Sequence, residues 1–187
     1  MRKPKKIILI CIFIIIYIIL LFCQGPKYYF FYPTIKLYPN NKEDLKIVKK
    51  YTENRNKYYI NLFYLTDESV SNAFVKIINK SKDELEYILK EQNFYILLLK
   101  IIFNRGRPKQ IDPNLDVLKS NTADTPAYPS GHAFQAYYLA KVLSIEFKDK
   151  VKQLWDLAED CALARVYAGL HYKSDNEFSK KLVIKYF

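Results

Sequence analysis

The residues best suited to chemistry are among the rarest in this chain, and they lie close together in the sequence. Both His, three of the four Gly and three of the five Arg fall in three short segments, residues 100–108, 129–132 and 165–175. Elsewhere the positive charge is carried mostly by Lys. Arg presents a planar fork of donors that binds an anion such as phosphate through two hydrogen bonds at once, which Lys cannot do. The clustering therefore indicates a phosphate site.

The first segment places Lys100 and Arg107 seven residues apart. On a helix this spacing puts both side chains on one face, two turns apart and within about 20° of each other. Gly106 and Pro108 are predicted to end the helix and to present Arg107 at its mouth. Taken alone, the pair also fits an ordinary cationic helix end, which the helix dipole favours.

The second segment, Pro-Ser-Gly-His at residues 129–132, is predicted to open a helix after a long loop. Ser130 is a natural N-cap, and Gly131 lets a ligand approach the backbone closely. The N–H groups of the first helical turn form an anion site. His132 lies beside them and can donate a proton to an oxygen of the bound anion. In isolation, the same residues fit a surface turn with a solvated His.

The third segment contains Arg165, His171 and Asp175. His171 and Asp175 have the i, i+4 spacing that puts two side chains on one helix face. The carboxylate can then accept a hydrogen bond from one ring nitrogen and leave the other as nucleophile or base. Arg165 is about 120° away on a continuous helix, so the three converge only if the helix breaks, and Gly169 is placed for that. Viewed alone, the segment also fits a surface ion pair.

Taken together, the three segments predict a phosphate cage with a nucleophile, a proton donor and an orienting carboxylate. No Cys/His cluster has the spacing of metal ligands, and neither a P-loop nor a Gly-x-Ser-x-Gly motif occurs. We therefore expect an enzyme without a metal or another cofactor, in which Lys and Arg neutralise the phosphate charge.

This constellation resembles the type 2 phosphatidic acid phosphatase (PAP2) superfamily, which includes lipid phosphate phosphatases, class A bacterial acid phosphatases and vanadium haloperoxidases. The signatures of that superfamily are K-x6-R-P, P-S-G-H and S-R-x5-H-x3-D. Residues 100–108 match the first, residues 129–132 the second and residues 165–175 the third, with Ala164 in place of the usual Ser. The resemblance covers residues from about 100 to 180, roughly half the chain.

The resemblance implies a role for each matching residue. His171 would attack phosphorus and form a phosphohistidine, while Asp175 holds its ring. His132 would protonate the leaving alkoxide and later activate water. The equatorial phosphate oxygens would be held by Lys100, Arg107, Arg165, the Ser130 hydroxyl and backbone, and the Gly131 N–H. Such positioning and charge stabilisation supply most of the catalysis in phosphoryl transfer.

Helices must position these residues, because helical periodicity dominates beyond residue 40. Thr66-Asp67 is interpreted as an N-cap, and residues 81–84 form a capping-box pattern. Further helices are predicted to end near Asn104, to span about 131–147 and 150–167, and to follow Asp175 as a short one. Residues 109–129 are predicted to be a long loop. The predicted fold class is all-α, a helical bundle, in agreement with the PAP2/haloperoxidase type that the resemblance implies.

The N-terminus is predicted to be a transmembrane anchor. Residues 7–23 contain no charge, Gly or Pro, and about 17 to 20 such residues just span the ~30 Å hydrocarbon core. Four basic residues precede this run and only Lys27 follows closely, which keeps the N-terminus cytosolic. Bulky residues before Cys23 disfavour both cleavage and lipid modification of Cys23, but these alternatives stay open.

The predicted organisation is a basic cytosolic flank (1–6), the anchor (7–23), a Pro- and Tyr-rich connector (24–40) and one catalytic domain (41–187) on the extracytoplasmic or lumenal side. This length suits a single domain, and an apolar fraction of 50% excludes wholesale disorder. The net charge of +11 is scattered, and a translocated domain meets no nucleic acid, so nucleic acid is not an expected partner.

The predicted function is metal-independent hydrolysis of phosphomonoesters at a membrane, through a phosphohistidine. The substrate is either a phosphatidate-type lipid or a soluble phosphoester. A vanadate-dependent haloperoxidase-like enzyme is one alternative, and a non-catalytic membrane-surface protein that keeps the fold is another. The second is disfavoured because every reactive position of the three motifs is filled.

Overall fold

The described part of the chain is built from helices. The computed structural model describes Ile15, residues 37–90 and residues 92–187. Residues 37–90 and 92–187 contain no strand, so the prediction of an all-α fold is confirmed. Their helices are α1 (Asn41–Glu53), α2 (Lys57–Thr66), α3 (Ser71–Phe74), α4 (Lys82–Leu89), α5 (Gln92–Phe103), α6 (Pro108–Ile111), α7 (Gly131–Glu146), α8 (Val151–Tyr167) and α9 (Lys173–Tyr186).

Helices α7 and α8 form the centre of the bundle. They are joined by a short 3-10 helix, Lys148–Lys150, and pack against each other. Helices α4, α5 and α9 also pack against α7, while α1, α2 and α3 pack against α8. Since α7 is contacted from several sides, its buried residues are spread around the helix and form no single stripe; they include Phe134, Tyr137, Leu139 and Leu143.

Several predicted helix boundaries are confirmed. The Ser81 hydroxyl accepts from the Glu84 N–H at 3.3 Å, and the Glu84 carboxylate accepts from the Ser81 N–H at 2.7 Å, so residues 81–84 do form a capping box. Helix α7 begins directly after Ser130, and α8 ends at Tyr167. These two boundaries place the second and third motifs at helix ends beside the centre of the bundle.

The predicted end of one helix is confirmed, although not the residues expected to cause it, and the predicted length of the last helix is wrong. Helix α5 ends at Phe103, next to Asn104, whose φ of +43° is left-handed, so the chain has left the helix before it reaches Gly106. Pro108 instead begins α6, at the first helical position, where the missing N–H has no intrahelical partner to lose. The last helix is not short, because α9 starts two residues before Asp175 and runs for 14 residues.

The break predicted at Gly169 is confirmed. Its φ is +77°, a conformation that glycine adopts without steric cost. A Cβ atom at this position would lie 3.0 Å from the Asp116 carbonyl oxygen. The chain therefore leaves α8 after Arg165 and turns before His171, which allows both residues to approach the same region.

The predicted anchor lies outside the described residues except for Ile15, and so do the basic flank and the connector up to residue 36. Among the helices that the structure does describe, none has both the length and the apolar composition needed to cross a bilayer. The anchor and the domain boundaries therefore stay predictions.

Candidate active site

All three motifs contribute to one cavity of about 320 Å³. One wall comes from α5, another from the start of α7, and the rest from the segment before α6, the long loop and the turn before α9. Five of the eight predicted site residues line it. The lining residues are Glu68, Asn93, Ile96, Leu97, Lys100, Arg107, Thr122, Thr125, Gly131, His132, Gln135 and His171.

His171 is almost completely buried and makes a defined hydrogen bond on each side of its ring. The Arg107 guanidinium lies 3.0 Å from Nε2, and the Asp175 Oδ2 lies 3.0 Å from Nδ1. Because a guanidinium can only donate, Nε2 must accept, and the proton of the neutral ring sits on Nδ1 and is donated to Asp175. Burial and the charges of Arg107 and Lys100 hold the pKa of His171 well below its usual value. The ring is thus neutral, with its Nε2 lone pair at the cavity.

Asp175 reaches His171 through a helix start and not through a shared helix face. His171 precedes α9, and Asp175 lies in its first turn, where its Oδ2 also accepts from the Tyr172 N–H at 2.9 Å. Burial raises the pKa of Asp175 to about 6, against the opposing charge of Arg105. Asp175 is therefore a carboxylate at neutral pH. The predicted contact is present, but its geometry differs from the i, i+4 helix pair expected from the spacing.

Lys100 and Arg107 converge on the cavity without sharing a helix, which corrects the expectation of one helical face. Lys100 Nζ donates to the Pro126 carbonyl at 2.5 Å. Arg107 donates through Nε to the Thr125 carbonyl at 2.9 Å and through one terminal nitrogen to the Leu170 carbonyl at 3.0 Å. Three carbonyls of surrounding loops thus hold the two cations in place.

Lys100 is a buried cation without an anionic partner among the described residues. Its side chain is 6% exposed, and no carboxylate forms an ion pair with it. Burial first, and then the positive charge of Arg107, depress its pKa well below the usual value. An anion that enters the cavity would raise the pKa of Lys100 again, because a nearby negative charge favours the protonated amine and compensates for its loss of solvation.

The second motif begins α7 as predicted, but Ser130 does not line the cavity. It is fully buried; its hydroxyl caps the Ala133 N–H at 3.4 Å and its own N–H donates to the Asp175 carbonyl at 3.3 Å. Gly131 does line the cavity, and a Cβ added there would lie 3.7 Å from Lys100 Cε. The first turn of α7 thus faces Lys100 across the site.

His132 lines the cavity and is held by backbone. Its Nε2 lies 2.9 Å from the Asp67 carbonyl oxygen, so Nε2 carries a proton and donates it. Burial, followed by the charge of Arg165, lowers the pKa of His132 to about 3. His132 is therefore neutral at this position.

Arg165 does not line the cavity and is paired with Asp67. One terminal nitrogen donates to Asp67 Oδ1 at 2.8 Å, and the guanidinium lies 4.7 Å from the Phe63 ring. Burial lowers the pKa of Arg165 to about 10, although Asp67 opposes the shift. Its Nε is buried and has no hydrogen-bond partner in the described part of the chain. Arg165 therefore adds charge behind the cavity and does not form part of its wall.

Two charged residues that contact the predicted site residues were not predicted from the sequence. Asp67, interpreted as an N-cap, is the residue that ends α2; its carboxylate holds Arg165 and its carbonyl holds His132. Arg105 donates to Asp175 Oδ1 at 2.6 Å. Nothing in the local pattern of Asp67 indicated its role, whereas Arg105 belonged to the unusual clustering of Arg and could have been singled out.

Lys100 offers a direct test of the anion site. We expect Lys100→Met to unfold at a temperature no lower than the wild type without ligand, because a buried, unpaired cation is removed. Phosphate at about 100 times its Kd stabilises a single-site protein by ~2.7 kcal/mol, and this gain should largely disappear in the variant. Thermal unfolding with and without phosphate measures both effects.

Lys109→Met is the matched control. Lys109 Nζ also donates to a backbone carbonyl, that of Leu115 at 2.9 Å, but it does not line the cavity. This variant should therefore keep the phosphate response. A full response retained in Lys100→Met would remove Lys100 from the site.

Comparison with known proteins identifies a superfamily for this chain. A model of the PAP2 superfamily matches residues 87–180, half of the 187-residue chain. The match contains all eight predicted site residues and Arg105, whereas Asp67 lies before it. A search of curated proteins finds no match.

Proposed function

The chain belongs to the PAP2 superfamily, whose typical activity is that of a phosphatase on phosphomonoesters, and on that premise we propose that it hydrolyses phosphomonoesters through a phosphohistidine at His171, without a metal ion. The observation that carries the proposal is the state of one ring: Nδ1–H is committed to Asp175, and the Nε2 lone pair lies on the wall of a cavity that contains Lys100 and Arg107.

In the first step, Nε2 of His171 attacks phosphorus. The P–N bond forms as the bond between phosphorus and the leaving oxygen breaks, and His132 gives that oxygen a proton. Arg107 donates to this Nε2 lone pair at 3.0 Å, so a phosphate oxygen of the substrate must replace Nε2 as the acceptor of that hydrogen bond. A phosphate oxygen is a better acceptor for a guanidinium than a neutral ring nitrogen, because the bond is then charge-assisted on both sides.

His132 requires a bound dianion before it can act as an acid. Burial and the charge of Arg165 lower its pKa to about 3. A phosphate dianion beside it raises that pKa, because a nearby opposite charge favours the protonated ring. In the second step His132 takes a proton from water, the resulting hydroxide attacks phosphorus, and the P–N bond breaks to release phosphate.

The cations would hold the phosphate in both steps. We propose that Lys100, Arg107 and the Gly131 N–H contact its oxygens directly, since all three residues line the cavity. Arg165 would act mainly by its charge and through Asp67, whose carbonyl positions His132. Ser130 caps α7 through its hydroxyl, so it would support phosphate binding indirectly, by fixing the first turn of α7 that contains Gly131.

The proposal includes attachment to a membrane by residues 7–23, with the N-terminus cytosolic and the domain extracytoplasmic or lumenal. It is supported by the apolar composition of that run and its basic flank. Extraction of membranes at alkaline pH tests the anchor: a chain held by this segment stays in the pellet, whereas release of the full chain would contradict it.

Hydrolysis of p-nitrophenyl phosphate by the full chain in detergent tests the activity. We expect turnover to survive EDTA, because the charge of the phosphate is neutralised by Lys and Arg, and to be inhibited by orthovanadate, which mimics phosphate. Absence of turnover on both p-nitrophenyl phosphate and phosphatidate in mixed micelles would contradict the proposal. The ratio of kcat/KM for these two substrates separates a lipid phosphatase from a soluble-substrate enzyme.

A further inference from the structure

Arg105 is a fully buried arginine that does not line the cavity, two residues before Arg107. The chain turns at Asn104, whose φ of +43° is left-handed. Arg107 lines the cavity, whereas Arg105 contacts residues outside it. Every N–H direction of the Arg105 guanidinium is used. The acceptors are Asn41 Oδ1 (2.9 Å), Ser174 Oγ (2.7 Å), Asp175 Oδ1 (2.6 Å), the Pro39 carbonyl (3.3 Å) and Asp44 Oδ2 (2.8 Å).

The contact with Asp175 complements the one that Asp175 makes with His171. Oδ2 accepts from the imidazole Nδ1–H and from the Tyr172 N–H, while Oδ1 accepts from the Arg105 guanidinium. Two donors on one oxygen and a charged donor on the other determine the plane of the carboxylate. The orientation of the His171 ring therefore depends on Arg105 through Asp175.

The other side of Arg105 is held by α1, which lies before the segment that matches the superfamily. Asn41 and Asp44 lie in the first turns of α1, and Asp44 also accepts a hydrogen bond from the Ser174 hydroxyl. Asp44 is buried, and it shares the charge of Arg105 with Asp175. Helix α1 thus contacts, through Asp44, both Arg105 and Ser174, the residue that precedes Asp175.

Three tyrosine rings enclose the guanidinium. Its central carbon lies 3.9 Å from the ring centre of Tyr172, 5.1 Å from that of Tyr38 and 5.7 Å from that of Tyr128. Such rings exclude water and favour a cation over their faces. In this low-dielectric environment the charge of Arg105 acts strongly on Asp175.

We propose that Arg105 is a positioning residue for the Asp175–His171 pair, and that α1 supports it through Asn41 and Asp44. Its charge keeps Asp175 a carboxylate and its fork keeps that carboxylate facing Nδ1. If Asp175 were protonated, its O–H could donate to Nδ1, and the ring proton would move to Nε2, where it occupies the attacking lone pair. Arg105 thereby keeps the nucleophile available. The role in turnover rests on the phosphatase function proposed above; the effect on the ring tautomer does not.

The direction of the pH effect follows from the charges around Asp175. Burial raises its pKa to about 6 and Arg105 opposes the shift, so removal of Arg105 should move the acidic limb of the kcat profile to higher pH. Removal of the charge of Asp44 should move it to lower pH, because a nearby negative charge is lost. The titratable and charged groups that face Asp175 are Arg105, Lys100, His171, Asp44, Tyr128 and Tyr172.

The test uses Arg105→Gln, Arg105→Lys and Asp44→Asn in the full chain, with p-nitrophenyl phosphate as substrate. We expect kcat of Arg105→Gln to fall by about 100-fold, the order of loss for a misplaced reacting group, with KM changed much less. Arg105→Lys should keep the acidic limb near its wild-type pH, because the charge remains, and still lose part of kcat, because an ammonium cannot reproduce the fork. Opposite displacements of the limb in Arg105→Gln and Asp44→Asn are not expected from loss of stability alone.

Arg55→Gln is the matched control. Arg55 also ties distant segments together, donating to the Tyr167 carbonyl at 2.8 Å and to Asp116 at 2.7 Å, but it contacts neither Asp175 nor the cavity. This variant should lower the unfolding temperature and leave the pH profile unchanged.

Imidazole ¹⁵N NMR gives a result that does not depend on turnover. The chain has only two His, so the His171 signals are assigned with a single His132→Gln variant. We expect Nδ1–H in the wild type and a substantial population of Nε2–H in Arg105→Gln; where that variant does not fold, the pH dependence of the His171 shifts in Asp44→Asn serves instead. If the substituted proteins keep the wild-type tautomer and the wild-type pH dependence, the positioning role of Arg105 is overturned. If the tautomer changes as expected but the wild-type protein is inactive, only the phosphatase function is overturned.

Discussion

His171→Ala is expected to lower kcat on p-nitrophenyl phosphate by roughly 10⁵-fold or more, the size of loss seen when an enzyme's nucleophile is removed. His132, the other His of the chain, donates its Nε2–H to the Asp67 carbonyl, whereas the His171 ring donates to the Asp175 carboxylate, which makes the opposite ring nitrogen of His171 the stronger base. The variant should also form no acid-labile phosphoenzyme. Initial rates and rapid quenching after incubation with ³²P-labelled substrate measure the two effects.

The variant should still fold. Asp175 keeps the Tyr172 N–H and Arg105 as partners, so removing the ring leaves no uncompensated carboxylate. A phosphate-dependent rise in the unfolding temperature, retained in His171→Ala, is the control that the cation site is intact. Label incorporated into folded His171→Ala protein would show that another residue is the nucleophile.

His132→Ala is expected to separate the two chemical steps. A p-nitrophenolate leaving group departs without help from an acid, so His171 should still become phosphorylated. Water must then attack without a base, and general acid–base groups typically contribute 10²–10⁴-fold. The phosphohistidine should therefore accumulate, with a burst of p-nitrophenol followed by slow turnover in stopped-flow measurements.

The leaving group provides the internal comparison. An alkyl phosphate needs a proton on its departing oxygen, so its rate of phosphoenzyme formation should fall far more in His132→Ala than that of p-nitrophenyl phosphate. Equal losses on the two substrates would mean that His132 does not act as the acid. An unchanged steady-state rate on both would remove it from the chemistry altogether.

Much of the fold follows from local patterns. The capping box at residues 81–84, the start of α7 after Ser130 and the break at Gly169 depend on side chains within a few residues of the boundary, and all three were predictable. The end of α5 near Asn104 was predicted as well, but not its cause, because Asn104 rather than Gly106 takes the left-handed conformation. The length of α9 was not predicted; this helix runs for 14 residues and packs against α7.

Contacts between distant segments were not predictable in the same way. Asp67 and Arg165 are 98 residues apart, and Arg105 and Asp44 are 61 apart. Asp67 and Asp44 look like ordinary charged side chains in their own neighbourhoods, so the sequence does not indicate which arginines they pair with. Packing in the bundle buries Arg165 and Arg105, and a buried charge requires a partner whichever part of the chain supplies it.

The sequence by itself determined the superfamily, the helical class and the residue types of the site, because two His among 187 residues, Arg in a Lys-rich chain and three spaced motifs can be recognised without coordinates. Tertiary structure alone decided which of those residues form the cavity wall. It placed Lys100, Arg107, Gly131, His132 and His171 there, paired Arg165 with Asp67, and left Ser130 outside the wall. The physical reason is that spacing specifies direction only within one helix. Where a loop separates two residues, the direction of each side chain depends on which carbonyls and carboxylates lie within hydrogen-bonding distance in the packed bundle.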